Sequence, residues 1–417
     1  MSDPIHVHPP VAMHILIAGG GLGGLALAQG LIKDGHTVEV YERDQGIGRQ
    51  QGYYLTINGD GGESLHRVLP EDLYELYLET SRQPYPTQGS IVRTPKLDLL
   101  GTQPSLGRRN VGPRRHTGVD RNTLRRILGT RIGESIRWGV KAESYEENGD
   151  GVTLRLGDGS TARGDILVIA NGIHSTLRDQ RLPGTRVIST AIRGIDLYAR
   201  ATYTPALLAQ IPEELHDSVT MVIDGNGNRC LLGSFRPRRP IREAAVDVDG
   251  AHLDPIGGYM MVSCSVPLGT PIPPLADWTE HTGCDIKAAM QVTVAEWHPG
   301  IRAILEAVEP NSVFPISFSY LEPQQRWDPS RVTVLGDAAH GMLPTKGMGA
   351  NATFHDAAFL CDRLADAAAG RKDVFEAVGE YEAAMRSFAY PVIAMAADHD
   401  NQFGGGAISR AEAISPR

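Results

Sequence analysis

The sequence predicts an α/β (α+β) fold: a parallel, Rossmann-like sheet interrupted by a β-rich insertion. Three observations carry this expectation. Short apolar runs at residues 14–18, 164–170 and 332–335 each end in a glycine-bearing turn, as buried parallel strands do. Helical patterns follow the first and the last of these runs. Between the second and the third lies a long stretch of apolar strand candidates with hairpin punctuation.

The first unit begins with His14-Ile-Leu-Ile-Ala18 and runs through Gly19-Gly-Gly21-Leu-Gly-Gly24 into a helical pattern (Leu25, Leu27, Ala28, Leu31). A second strand, Thr37-Val-Glu-Val-Tyr41, then ends in Glu42. Gly19, Gly21 and Gly24 fit GxGxxG, which gives a tight turn, close backbone approach to a pyrophosphate, and close helix–strand packing. Glu42 falls roughly twenty residues further on, where a carboxylate accepts from a ribose diol. Such a carboxylate repels a 2′-phosphate, so the dinucleotide expected is FAD or NAD rather than NADP.

In the middle of the chain, Gly164-Asp-Ile-Leu-Val-Ile-Ala170 is a buried strand that breaks at Asn171-Gly172, a pair suited to a turn needing positive φ. Further on, Ser218–Ile223 and Arg229–Phe235 flank Asp224-Gly-Asn-Gly-Asn228, a strong hairpin signal. Tyr259–Ser265 is another strand candidate. An antiparallel sheet here makes a wall for a pocket.

The last unit is the most informative. In Arg331-Val-Thr-Val-Leu-Gly-Asp337-Ala-Ala-His340, a strand ends in an acidic turn. Pro344, Gly347 and Gly349 then open a helix at about Ala350. Asp337 is placed to accept from ribityl or ribose hydroxyls. The helix start near Gly349 and Asn351 offers bare N–H donors and a positive dipole end to a flavin pyrimidine edge.

With the three motifs in this order, the chain resembles the FAD-dependent monooxygenases of the aromatic-hydroxylase type (group A). These include para-hydroxybenzoate hydroxylase, polyketide hydroxylases and tetracycline-inactivating enzymes. The resemblance runs from about His14 to the helices before Asp400. It implies a para-hydroxybenzoate-hydroxylase-like fold, non-covalent FAD, and reduction by NADPH or NADH. It further implies O2-dependent hydroxylation of an aromatic or polycyclic natural-product substrate through a flavin C4a-hydroperoxide. The family's central motif normally reads Asp-Gly; this chain has Asn171-Gly172, and the tetracycline-inactivating enzymes look similar there. Further matches are Tyr41-Glu-Arg43-Asp44, Arg49 ahead of Gly52, Leu55-Thr56-Ile57, and Asp120-Arg121-Asn-Thr-Leu124. By resemblance, Arg43 belongs to the cofactor-binding set and Arg49 lies near the nicotinamide entry route. Thr56 would lie near the flavin, and Arg121 on the flavin or its phosphates.

The motifs set the expected organisation. Segments 13–80, 105–180 and 320–400 form a discontinuous FAD-binding domain, 81–104 and 181–319 a substrate domain, and 1–12 and 404–417 flexible ends. No second GxGxxG unit serves the nicotinamide. Two arginine-rich stretches (Arg108, Arg109, Arg114, Arg115; Arg236, Arg238, Arg239, Arg242) would attract its phosphates or stand as solvated faces. A net charge of −9 argues against a nucleic-acid partner. No apolar run approaches the length of a membrane span, and a cytoplasmic enzyme is expected. Cys230, Cys264, Cys284 and Cys361 form no CxxC, so neither zinc nor a redox dithiol is indicated. The four tryptophans are isolated, which disfavours the related halogenases. No catalytic base is identifiable: His252, Tyr259, Tyr320 and His340 are imaginable, each more often a packed residue. Other readings are a same-fold flavoenzyme with another outcome (Baeyer–Villiger oxygenase, reductase or halogenase) and a non-catalytic FAD-binding protein.

Overall fold

Five parallel strands, in the order Val332–Val334, Ile166–Ile169, His14–Ala18, Thr37–Glu42 and Ile136–Trp138, form the central sheet. The computed structural model describes residues 11–47, 53–86, 89–104, 106–108, 116–189, 194–267, 282–316, 318–344 and 347–403. Arg49, Arg109, Arg114, Arg115, the first ten residues and the expected flexible end at 404–417 lie outside the described residues. Ile15, Leu16, Ile17 and Ile166–Ile169 are fully buried, which is why these strands read as continuous apolar runs without alternation. The chain builds outward from His14–Ala18 to one edge, then returns to add Ile166–Ile169 and Val332–Val334 on the other side. The strand order therefore reverses beside His14–Ala18, and the crevice at the carboxyl ends there is where ligands of such sheets bind.

Two helices cover this crevice from below. The Leu22–Lys33 helix follows the glycine turn, and the Gly349–Ala368 helix lies against it. Their approach is close because Gly23 and Gly30 face the partner: a Cβ on Gly30 would sit 2.5 Å from Cys361 Sγ, and one on Gly23 would sit 2.4 Å from Thr353.

A seven-stranded sheet, in the order Phe314–Ile316, Gly194–Thr202, Tyr259–Pro267, Arg229–Phe235, Val219–Ile223, Ser90–Arg93 and Leu99–Gln103, is antiparallel except where Val219–Ile223 meets Ser90–Arg93. The hairpin at Asp224 is built as the sequence suggests. Asp224 Oδ1 accepts from the backbone N–H groups of Asn226 (2.8 Å) and Asn228 (2.9 Å), closing the loop between two paired strands. Side chains alternate between the faces. Leu197, Val222, Leu232, Met260 and Val262 pack under the Gly283–Thr293 and Pro299–Glu306 helices through Ile286, Met290, Ile301 and Ile304. Each such fully buried aliphatic side chain contributes about 1.5–3 kcal/mol. The other face carries Tyr198, Leu231, Tyr259, Met261 and Phe314. It meets the short strand Tyr54–Thr56, which pairs with Gly118–Asp120. Among the described residues, no helix is long and apolar enough to cross a membrane.

Candidate cofactor site

The turns after four parallel strands converge at one end of the central sheet, and each glycine of the first turn has its own physical duty. Gly19 has φ +116°, and a Cβ there would lie 2.4 Å from the carbonyl oxygen of Ala170, so only glycine fits between two neighbouring strand ends. A Cβ on Gly24 would lie 1.9 Å from the carbonyl oxygen of Gly19, which seals helix against turn. Gly21 differs: nothing lies within 4 Å of where its Cβ would be. The protein itself does not need a glycine there, and the free space faces the start of the Leu22–Lys33 helix. That helix has neither a side-chain cap nor an acidic residue in its first turn. An uncapped helix start beside an open glycine is a cradle for a pyrophosphate.

Glu42 is more embedded than the sequence indicates. Its Oε2 accepts from Gly20 N (2.7 Å) and lies 3.5 Å from Arg125 Nη2, while Oε1 accepts from Asp44 N (2.9 Å). Arg125 Nε donates to the carbonyl of Gly20 at 2.9 Å. Glu42 and Arg125 thus grip the glycine turn from both sides, and with about four lone-pair sites the carboxylate still has acceptor capacity for a ribose. Sequence reading missed Arg125, although it lies four residues after Arg121 on the same helix. Arg43, next in the chain, is exposed.

At the late motif, Asp337 is exposed at the strand end. Pro344 and Gly347 are exposed too, with Gly347 N donating to Pro344 O at 2.9 Å. The Gly349–Ala368 helix starts without a side-chain cap or an acidic first turn, so its first amides are bare. Asn351 does not offer its side chain outward. Its amide donates to the carbonyls of Thr56 and Gly347 (2.9 Å each) and accepts from Asn58 N (3.0 Å), fastening two distant segments. Thr56 is therefore opposite Gly347, exposed, at the mouth of the same crevice. Below lies a pair that sequence reading missed. His340 Nε2 and Asp356 Oδ2 are 2.6 Å apart and fully buried, and Gly336 N donates to the same Asp356 oxygen at 3.1 Å. Burial disfavours charge on His340, but the Asp356 carboxylate outweighs it and raises the imidazole above its ordinary value.

At the central motif the positive φ (+88°) falls on Gly172, not on Asn171. The pair thus makes the positive-φ turn that the sequence suggests, and the glycine takes the left-handed position because it does so without steric cost. Asn171 Oδ1 is buried and has no hydrogen-bond partner among the described residues. Arg121 Nη1 is in the same condition. Two orphaned polar atoms, two bare helix starts and an open glycine fit a bound dinucleotide.

The other candidates are placed elsewhere. His252 is exposed and Tyr320 half-buried. His340 is sealed from solvent, and Tyr259 is fully buried with its hydroxyl donating to Asp120, so neither is available as a base in this arrangement. Arg108 pairs with Asp60 and Glu63, Arg236 with Asp217, and Arg239 with Asp247, which makes them partnered surface charges. An aromatic face packs against the Tyr54–Thr56 strand. The Tyr198 ring lies 5.6 Å from Tyr53, 5.8 Å from Phe314 in a stacked pair and 6.1 Å edge-on from Phe318. Tyr53 ties this face to the start of the Arg121–Gly129 helix, its carbonyl accepting from Arg121 N at 3.0 Å.

Known proteins are similar to this chain in sequence and fold. A family model described as FAD binding domain matches residues 300–395. The dual O-methyltransferase/FAD-dependent monooxygenase CTB3 of Cercospora beticola is 30% identical over 89% of this chain, which spans 44% of that protein's length. The FAD-dependent monooxygenase thnD of Trichoderma harzianum is 29% identical over 89% of each chain. Among solved structures, a Photorhabdus luminescens protein described as an FAD containing monooxygenase is 25% identical. It superposes with a TM-score of 0.77 over 94% of this chain and 98% of its own.

Proposed function

We propose that the chain is an FAD-dependent monooxygenase and that it hydroxylates an aromatic or polycyclic small molecule with O2 and NADPH or NADH. The observation that carries this reading is the adjacency of cradle and wall. Thr56 lies against Gly347 and its carbonyl accepts from Asn351 in the first turn of the Gly349–Ala368 helix, while the carbonyl of Tyr53, earlier in the same segment, accepts from Arg121 N and its ring packs on Tyr198 in the aromatic face. When bound, FAD supplies the redox and oxygen chemistry. The residues then have simpler tasks. Gly19, Gly21 and the Leu22–Lys33 helix start hold the pyrophosphate. Glu42 and Asp337 accept from ribose and ribityl hydroxyls. The bare amides at the start of the Gly349–Ala368 helix would stabilise negative charge on the flavin ring edge, with Pro344 and Gly347 shaping the loop before them. The aromatic face excludes water and holds a planar substrate by stacking. An O-methyltransferase acts on a hydroxyl oxygen, and its fusion to the monooxygenase in the Cercospora relative supports a phenolic substrate or product. A cytoplasmic location and non-covalent FAD belong to the same proposal.

The test is direct. Purified protein should be yellow, and acid precipitation should release free FAD. Screening planar phenols for stimulation of NADPH or NADH oxidation, with product mass raised by one oxygen, then checks the reaction. Flavin left in the pellet, FMN in the supernatant, or a product without added oxygen would each overturn the corresponding part.

A further inference from the structure

The seven-stranded sheet reaches into the cofactor cradle through a single buried hydrogen bond. Tyr259, at the start of its strand, is fully buried, and its hydroxyl donates to Asp120 Oδ2 at 2.9 Å. Asp120 is fully buried as well. Its other oxygen accepts from Asn122 N and Thr123 N, at 3.0 Å each, and so caps the Arg121–Gly129 helix. Capping needs only one carboxylate oxygen; the second would be a desolvated acceptor if Tyr259 did not donate to it. A second tie joins the same place: Arg121 N donates to the carbonyl of Tyr53 at 3.0 Å, and the Tyr53 ring belongs to the aromatic face. The helix start is thus held at two points, its N-cap Asp120 by Tyr259 and its first residue by Tyr53 of the aromatic face. That first residue is Arg121, whose Nη1 is buried without a partner among the described residues. A guanidinium carries its donors in a rigid fork, so the direction of the helix start decides where they point.

We propose that Tyr259 is a positioning residue of the FAD site: by holding Asp120 it fixes the start of the Arg121–Gly129 helix and hence the direction in which Arg121 presents its free donor to FAD. This inference rests on the reading of the crevice as an FAD site. Tyr259 spends its hydroxyl on Asp120 and so acts through Asp120 and Arg121. Its ring is stacked on Phe235 (4.9 Å between centroids) and lies 5.7 Å from the Arg200 guanidinium, so its own position is set by the large sheet. A displacement of the aromatic face would therefore reach Arg121, linking occupancy of the face to the hold on FAD.

A double-mutant cycle on the holoprotein tests this. FAD release on dilution is followed by the recovery of free-FAD fluorescence for wild type, Tyr259→Phe, Arg121→Ala and the double variant. Thermal unfolding of each is recorded alongside. Each single variant should weaken FAD retention about tenfold. The double variant should retain FAD no worse than Arg121→Ala alone, because Tyr259 acts only through that side chain. A general packing role would instead give additive losses of FAD, and additivity overturns the proposal whatever the melting temperatures. Arg121→Ala with unchanged FAD retention also overturns it, while leaving the FAD site itself intact. A wild-type protein that binds no FAD overturns both readings. Should Tyr259→Phe fail to fold, Asp120→Asn enters the cycle in its place, since it keeps the capping oxygen and weakens only the bond to Tyr259.

Discussion

His340 Nε2 lies 2.6 Å from Asp356 Oδ2, and neither side chain has any exposure to solvent. A fully buried ion pair with a shared tie to Gly336 N sits directly beneath the turn that presents Asp337. Removing one partner leaves a buried group uncompensated, so Asp356→Ala should cost about 3–5 kcal/mol of stability. Urea unfolding of the variant against wild type measures it. A loss below 1 kcal/mol would show that the pair is not ionised in the folded protein.

The same pair sets a pH dependence. The folded-state value of His340 is raised above its ordinary 6.5, because Asp356 outweighs the opposing effect of burial. Its protonation therefore stabilises the fold fully below about pH 6.5 and progressively less as pH rises through the folded-state value. Stability of wild type relative to a His340→Gln variant should decline from pH 6 towards alkaline pH. A difference that stays flat or grows over that range contradicts the assignment.

The glycines of the first turn should separate by variant. Gly21→Ala meets nothing within 4 Å, so the fold should keep its stability to within about 1 kcal/mol while FAD retention falls. Gly24→Ala drives a methyl group to 1.9 Å from a backbone oxygen and should destabilise the protein by about 1–3 kcal/mol or more. Thermal unfolding and flavin content, measured on the same preparations, distinguish the two. Equal stability loss in both variants would refute the division of roles.

Glu42 and Asp337 should also part company. Asp337 is exposed, so Asp337→Ala should weaken FAD by about tenfold to hundredfold through one charge-assisted hydrogen bond worth roughly 1.5–3 kcal/mol, with the fold unaffected. Glu42→Ala additionally strips Arg125 of its carboxylate and Gly20 of its acceptor, so it should lower the melting temperature too. Unchanged FAD affinity in both variants would remove the ribose and ribityl assignments.

Asn171→Asp should fold, bind FAD and be reduced by NADPH or NADH almost normally, because the left-handed position is taken by Gly172 and the side chains are isosteric. Gly172→Ala should instead cost about 1–2 kcal/mol from its positive φ. Stopped-flow reduction at equal flavin content checks the first point. A slowing of tenfold or more would mean that neutrality at position 171 matters.

What the sequence discloses about this molecule is what acts locally. Glycine spacing around Gly19 and the Asp224 hairpin carry their instructions within a few residues, and both elements take the expected form. The grip of Arg125 on Glu42 and the tie of Asn351 to Thr56 join residues far apart in the chain, as does the bond from Tyr259 to Asp120 across 139 positions. No local pattern marks such pairs, since the chemistry of each partner is ordinary and only the fold brings them together. The aromatic face was likewise hidden: Tyr53, Tyr198, Phe314 and Phe318 come from separate strands and loops, and become a surface only when the sheet forms.

The bond between Asn351 and Thr56 spans 295 residues and has a consequence for synthesis of the chain. At about 5–20 residues per second, roughly 15–60 s separate the emergence of the glycine turn from that of the helix that completes it. Throughout that interval the close neighbours of Gly23 on the Leu22–Lys33 helix, Leu335 and Thr353, are still unmade. On the reading of this crevice as an FAD site, a product truncated before residue 349 should retain no flavin, which the absorbance of the purified truncated chain checks.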